Sequence, residues 1–203
     1  RIKETMALLR SMMAGEKTNF EGETLRSKGY RQAPTSNQPI YLAGLRPNML
    51  ETAAEISDGV ILNLFPRSAL PKIMEHIAIG AERAGKDPAS VEVVCRHMMC
   101  LTNDKELGRA AFRAAFGPYY ATPVYNKFLA WAGHEDTAKE IAEGFKARDR
   151  ERTSAAMTDE LVDQIALIGN EAECQDLIRE YAAGGIHTHV VSPMIPDPQI
   201  IEN

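Results

Sequence analysis

Apolar positions recur along this chain with two different spacings, and each change of spacing marks a boundary. Between residues 39 and 65, two short apolar runs (40–43 and 60–64) flank a stretch with helical spacing over 48–57. That is the pattern of a strand–helix–strand unit, and a helical crossover makes its two strands parallel. Two more runs read as strands, so the chain predicts four: 40–43, 60–64, 91–101 and 188–191. Helical spacing fills most of the rest. It covers 68–84, closed by Gly85. It covers 105–116, opened by Asn103-Asp104 and interrupted by Gly117-Pro118 and Thr122-Pro123. It returns over 124–147 with breaks, and over 158–168. A last helix opens at Asn170, where Asn170 and Glu173 have the spacing of a capping box, and Gly184-Gly185 stops it. Residues 148–157 read as a charged connector and 33–38 as a linker. The first fourteen residues place Ile2, Met6, Leu9 and Met13 on one helical face. Residues 20–32 are polar and glycine-punctuated, a loop or a short hairpin.

Strands alternating with helices predict an α/β fold with a parallel sheet, the four strands lying side by side in chain order. Four parallel strands cannot close a barrel. With a helix at its start and no strand before it, the chain predicts the C-terminal half of an eight-stranded (β/α) barrel, about four βα units. Residues 1–203 would form the C-terminal part of one TIM-barrel domain whose N-terminal half is absent from this chain. Ala53, Ile61, Val93 and Val190 are expected to be mostly buried if that half is present, and a substantial apolar face to be exposed if it is not.

Composition narrows the function classes. The chain has 203 residues, 44% hydrophobic, and a net charge of -5, enough for one substantial core. The acidic balance argues against a general nucleic-acid partner. No apolar run is long enough for a membrane span. Three cysteines, Cys95, Cys100 and Cys174, show no CxxC spacing, which predicts buried free thiols and a cytoplasmic setting. Arg148, Arg150 and Arg152 alternate with Asp149 and Glu151, as on a solvated helix face.

The candidate chemistry sits at the turn after the first predicted strand. In parallel α/β folds, ligands lie beyond the carboxyl ends of the strands. Pro47 suits the first helical position, where its missing N–H costs nothing. Arg46 before it cannot cap the helix as Ser, Thr, Asp or Asn would. The amides of Asn48 and Met49 are therefore expected to be free for an outside acceptor. Gly44 lets backbone come close, and Arg46 offers a fork-shaped cation suited to phosphate. Residues 44–49 thus predict an anion site; the plainer reading is an ordinary helix start with a surface arginine. Asn63 and Phe65 end the second strand, where a top-face contact and a core role are equal alternatives. Arg96 and Met98 share one face of the third strand, and Cys95, His97 and Met99 the other. One face looks into the barrel and the other to the outer helices. Arg96 is read as a cofactor or substrate contact or as a structural ion-pair member. Tyr119, Tyr120, Tyr125 and Trp131 line a pocket or pack helices. His187 and His189 point the same way on their strand. No carboxylate or cysteine completes a metal set, so a polar lining or rim role is expected and no metal.

Taken in order, these segments resemble a known family. Pro39-Ile-Tyr-Leu-Ala-Gly44 with Pro47, then Asp58-Gly59, then Asp159-Glu-Leu-Val-Asp163 leading to Ile168-Gly169-Asn170, and Ala183-Gly184-Gly185 through His187 and Thr188 to Ser192-Pro193 are similar to the luciferase-like flavin and deazaflavin oxidoreductases. The likeness is to their F420-dependent branch, related to methylenetetrahydromethanopterin reductase. The resemblance implies a TIM barrel with an insertion before its last strand, commonly a homodimer. It implies a small-molecule substrate and cofactor phosphate held by Gly44, Leu45, Arg46, Pro47, Asn48 and Met49, with Asn63 at the neighbouring strand end. The expected activity is hydride transfer between F420 and an organic substrate. FMN, in a luciferase-like monooxygenase, is the alternative cofactor; a non-catalytic flavin-binding or interaction protein is the other alternative. The resemblance identifies no catalytic acid or base in this part of the chain.

Overall fold

The computed structural model describes residues 1–35 and 38–194; the linker expected over 33–38 lies partly outside them. A central strand, β5 (Glu92–Leu101), organises the sheet. On one side it pairs with β4 (Gly59–Asn63), which pairs in turn with β3 (Tyr41–Ala43). On the other it pairs with β7 (Thr188–Pro193). All of these pairings are parallel, and β3, β4, β5 and β7 lie side by side in chain order. The fourth strand runs two residues further than expected, carrying Ser192 and Pro193 beside Met98 and Met99.

Local chemistry explains most element ends. Helix α2 (Pro47–Ile56) starts at its proline. Helix α3 (Leu70–Arg83) follows a short 3₁₀ turn, and Gly85 closes it at φ 69°. Asp104 caps α4 (Lys105–Ala121) through Leu107 N–H at 3.1 Å. In α9 (Glu171–Ala183) the capping box is complete: the N–H of Glu173 donates to Asn170 Oδ1, and the N–H of Asn170 to Glu173 Oε2. At the start, α1 (Ile2–Met13) precedes an antiparallel hairpin, β1 (Thr18–Glu21) and β2 (Arg26–Tyr30). The Glu4 carboxylate clasps its turn by accepting from the N–H groups of Glu23, Thr24 and Leu25.

Three expectations about elements fail. Helix α4 does not stop at Gly117-Pro118 but runs through to Ala121. Packing of Phe112 and Tyr120 in one buried cluster holds the helix together across the proline. The connector 148–157 contains a short helix, α7 (Arg150–Ala155), capped by Asp149. Helix α8 (Asp159–Ile165) ends early, and Leu167–Gly169 form a strand, β6, paired to Met99–Leu101 of β5. The N–H of Met194, just after β7, donates to Met99 O, while Thr102 N–H donates to Gly169 O. Alternate residues of a strand bond to opposite edges. Strand β6 therefore extends the β4 edge of β5 beyond the point where β4 ends. Between α4 and α7 lie α5 (Pro123–Trp131) and α6 (Glu135–Ala147), parted by Gly133 at φ 101°.

Two buried clusters follow. One lies between the sheet and α2, α3 and α9, and holds Leu50, Val60, Leu62, Ile73, Val93, Cys95 and Tyr181. The other joins α4, α5, α6 and α8 to Met98 and Cys100. The three cysteines are free and buried. Among the described residues no helix is long and apolar enough to cross a membrane.

Across β3, β4 and the first half of β5 the sheet is buried on one face only, while further along β5 Met98 and Cys100 are covered on the other face by the second cluster. Val60, Leu62, Val93 and Cys95 point at the helices, so Ile61, Asn63, Val94 and Arg96 point away. Ala53 and Val93 are 0% exposed as expected; Val190 is 45% exposed and Ile61 half-buried, because both lie on that open face. A ladder of polar contacts crosses it, with Tyr41 Oη and Thr188 Oγ1 donating to Glu92 and Arg96 Nε to Ser192 Oγ at 2.9 Å.

Candidate functional site

Strand β3 ends at Ala43, and the next residue must turn tightly onto α2. A Cβ on Gly44 would stand 3.1 Å from Leu50 Cα and 3.0 Å from its Cδ2. Glycine is needed because the turn presses on the first turn of its own following helix. Gly44 N–H donates to Ile61 O at 3.1 Å, which ties the turn to β4.

Arg46 occupies the N-cap in extended backbone, makes no side-chain cap, and Pro47 follows it at the start of α2. The first turn carries no acidic side chain. The amide of Met49, expected to be free, is not. It donates to Arg46 O at 2.9 Å, sharing that carbonyl with Leu50 N–H, a tightened first turn. The amides without a partner among the described residues are those of Leu45, Arg46 and Asn48. The arginine side chain is exposed and has no ion-pair partner among the described residues.

A cleft of about 730 Å³ opens at this turn. All seven predicted residues line it: Gly44, Leu45, Arg46, Pro47, Asn48 and Met49 from the turn, and Asn63 from the end of β4. Its far wall is α5, through Val124, Tyr125, Lys127 and Trp131. Two of the four candidate aromatics therefore reach the cleft. Tyr120 is fully buried instead, and Tyr119 is 48% exposed. Lys127 escaped the sequence reading, because nothing near it in sequence relates it to the turn at residue 44. It too has no ion-pair partner among the described residues.

Asn63 is positioned by an unusual backbone. Leu64 after it takes φ 53°, a left-handed conformation costing a leucine roughly 1–2 kcal/mol. Two contacts hold it: the Leu64 side chain is buried with Met98 and Tyr120, and Tyr120 Oη donates to its carbonyl at 2.9 Å. Asn63 lies in register beside Arg96 on the open face, and its Oδ1 is buried with no hydrogen-bond partner among the described residues. Tyr125 stands close by. Burial raises its hydroxyl pKa, opposed by a hydrogen bond to Asn63 and the charge of Arg96. Trp131 is fixed from below by Lys72, whose Nζ sits 4.4 Å over the ring and donates to the Trp131 carbonyl at 2.9 Å.

Replacing Tyr120 with Phe leaves the buried Leu64 carbonyl without its donor. The expected loss is about 1–2 kcal/mol of stability, read as a lower urea midpoint with an unchanged slope. An unchanged midpoint would mean that packing alone holds the turn after Asn63.

The histidines lie elsewhere. His189 does not line the open face. It meets His97 on the helix side, with His97 Nε2 and His189 Nδ1 2.9 Å apart. His97 is 2% exposed and packs edge-on against Tyr181, ring centroids 4.7 Å apart. Cys95 Sγ is 3.7 Å from His97 Nδ1, and burial pushes the Cys95 thiol up to about 12. Burial, with the charge of His189 as a smaller cause, lowers His97 to about 4. His187 is exposed and its Nδ1 accepts from Val93 N–H. Among the described residues no cluster of three or more His, Cys, Asp or Glu could hold a metal ion.

Comparison with known proteins gives one consistent picture. Residues 1–188 match the family described as Luciferase-like monooxygenase. The 5,10-methylenetetrahydromethanopterin reductase of Methanolobus tindarius is 30% identical over 97% of this chain and 61% of its own length. The F420-dependent glucose-6-phosphate dehydrogenase of Mycolicibacterium gilvum is 30% identical over 53% of this chain and 33% of its own. Among solved structures, the coenzyme F420 dependent tetrahydromethanopterin reductase from Methanopyrus kandleri superposes with a TM-score of 0.77 at 21% identity. It covers 95% of this chain and 56% of that one. An F420-dependent secondary alcohol dehydrogenase gives 0.71 at 18%, with 97% and 56% covered. These likenesses establish the fold, part of the luciferase-like barrel. The chain spans 61% of the length of the first two reductases it matches.

Proposed function

We propose, given that this chain belongs to the luciferase-like monooxygenase family, that the full-length protein is an F420-dependent oxidoreductase transferring a hydride between the deazaflavin and a small organic substrate. The observation that carries this reading is the convergence on one cleft of three amides, an arginine and an Asn63 oxygen that have no partner among the described residues. The relatives named for F420 dependence support the choice of cofactor.

The residues present fit such a cofactor. The amides of Leu45, Arg46 and Asn48, the α2 dipole and the Arg46 guanidinium would hold its phosphate. Asn63 would meet a hydrogen-bond donor with Oδ1, relieving a buried acceptor that otherwise goes unpaired. Tyr125 and Trp131 would close the far wall and exclude water. When bound, F420 supplies the hydride chemistry itself. The protein's part is to orient the cofactor and keep the site dry. Residues 1–203 are read as the C-terminal part of a single barrel domain, with the preceding half supplying the remaining contacts. The working enzyme is read as a cytoplasmic homodimer.

Fluorescence titration of the full-length protein with F420 and, separately, with FMN tests this. Saturable F420 binding with negligible FMN binding is the expected result. FMN binding tighter than F420 binding would overturn the deazaflavin reading in favour of an FMN monooxygenase. Tight F420 binding without hydride transfer to any organic substrate would favour a non-catalytic binding protein.

A further inference from the structure

We propose that this protein has a second binding site, in the groove between α4, α6 and α7, for a small amphipathic anion: an apolar chain ending in a carboxylate. The groove encloses about 1060 Å³ and shares no lining residue with the cleft at the α2 turn. The proposal stands independently of the F420 reading.

The floor of the groove is apolar and low. Ala110, Ala114 and Gly117 recur at helical spacing on one face of α4, with Pro118 beside them. Their side chains are small or absent, so they leave a trough about 12 Å long, two turns of helix. Phe145 of α6 forms its wall and is 58% exposed, a large apolar side chain left on the surface. Isolated surface apolar residues need no explanation, but one standing over an apolar trough marks a ligand-sized recess.

The charge lies at one end. Lys146, Arg148 and Arg150 gather where α6 passes into α7, and none has an ion-pair partner among the described residues. Three cations face one lining carboxylate there, Asp149. Glu140 and Glu143 hold Arg152, and Asp149 caps α7 by accepting from Arg152 N–H. Arg148 sits at the C-terminal cap of α6 with φ 58°, a position where glycine is favoured. Arg148 adopts this conformation against an arginine's backbone preference and lines the groove.

An apolar trough with cations at one end matches the tail and head of a single small ligand. An acidic peptide would need cations along both walls. The α4 wall offers only Arg113, which is already bound to Asp159 and to the Met157 carbonyl. A second copy of this chain, docked two-fold on this groove, would bring the same three cations against themselves.

The test is titration of dansyl-undecanoate into the full-length protein, with and without F420. A saturable rise in fluorescence is expected, displaced by decanoate and at least about tenfold more weakly by decanol. Ala114→Trp fills the trough from an exposed position, and Arg148→Glu reverses the charge at its head. Each is expected to weaken probe binding by about tenfold or more while F420 titration and the circular dichroism spectrum stay unchanged. Should Ala114→Trp fail to fold, Phe145→Ser, which removes the wall from the surface, replaces it with the same expectation. Absence of saturable binding, unchanged binding in the folded variants, or equal displacement by decyltrimethylammonium would each overturn the site.

Discussion

Arg46→Ala lowers the affinity of the full-length protein for F420 by about ten- to a hundredfold and leaves its fold intact. The substitution removes the guanidinium and keeps the α2 dipole and the free amides of Leu45, Arg46 and Asn48. A charge-assisted hydrogen bond contributes roughly 1.5–3 kcal/mol, and each 1.4 kcal/mol or so is a factor of ten. Arg46 is exposed, so solvent screening draws the effect toward the lower end of that range. Among the described residues its side chain makes no hydrogen bond or ion pair, so thermal stability without cofactor should not move. Parallel titrations of the parent and the variant, with F420 and with FMN, read the result. Equal F420 affinity in the two proteins, with an intact fold, would return Arg46 to an ordinary surface residue. The partner measurement is Lys127→Ala, on the opposite wall. A similar loss there would show that the ligand's negative charge reaches across the cleft.

Acid destabilises the protein through His97, by about 3 kcal/mol between pH ~6.5 and ~4. Burial among Tyr181, Cys95 and His189 holds the imidazole at about 4 in the fold, against 6.5 for a free histidine. Across that window the unfolded chain takes up a proton that the folded chain refuses. Stability is therefore fully present above the free value and lost as pH falls toward the folded one. His189 is also lowered by burial and acts in the same direction. Because the two rings share one contact, the pair titrates together. Urea unfolding of the full-length protein at pH 7.5 and at pH 4.5 measures the loss. His97→Gln keeps a polar group beside His189 but cannot titrate, so its stability should fall markedly less over the same interval. An equal fall in parent and variant would place the acid sensitivity in other groups.

The sequence already specified what depends on near neighbours along the chain. Pro47 at the start of α2, the Asn170–Glu173 capping box and the Asp104 cap are interactions within a few residues, and they form as their spacing predicts. Strands β4 and β5 were readable because runs buried against helices are apolar over most of their length. The uncapped start of α2 was readable too, because a helix start without a capping side chain is visible in the residue types alone.

Where distant partners decide, that legibility ended. Leu167–Gly169 looked like the tail of a helix and became β6, because Met99–Leu101 offered an edge that β4 had left open. Helix α4 passed through Pro118, because packing of Phe112 and Tyr120 outweighed one lost hydrogen bond. Met49's amide closed back on Arg46, a choice of hydrogen-bond geometry that residue types do not encode. Alternation in β5 separated Arg96 from His97, but only the docking of α2, α3 and α9 decided which of them faces the open side. Lys127 and Trp131 reached the cleft because α5 folds back over the strand ends, a placement fixed by Trp131 against Lys72 and by Tyr125 against Tyr120. By itself the sequence determined the locally capped elements, the parallel order of four strands and the uncapped start of α2, since these follow from residue types and from sterics and hydrogen bonding over short range. Only the tertiary structure decided which faces are buried and which side chains share a cleft, since burial and proximity come from contacts between residues far apart in the chain.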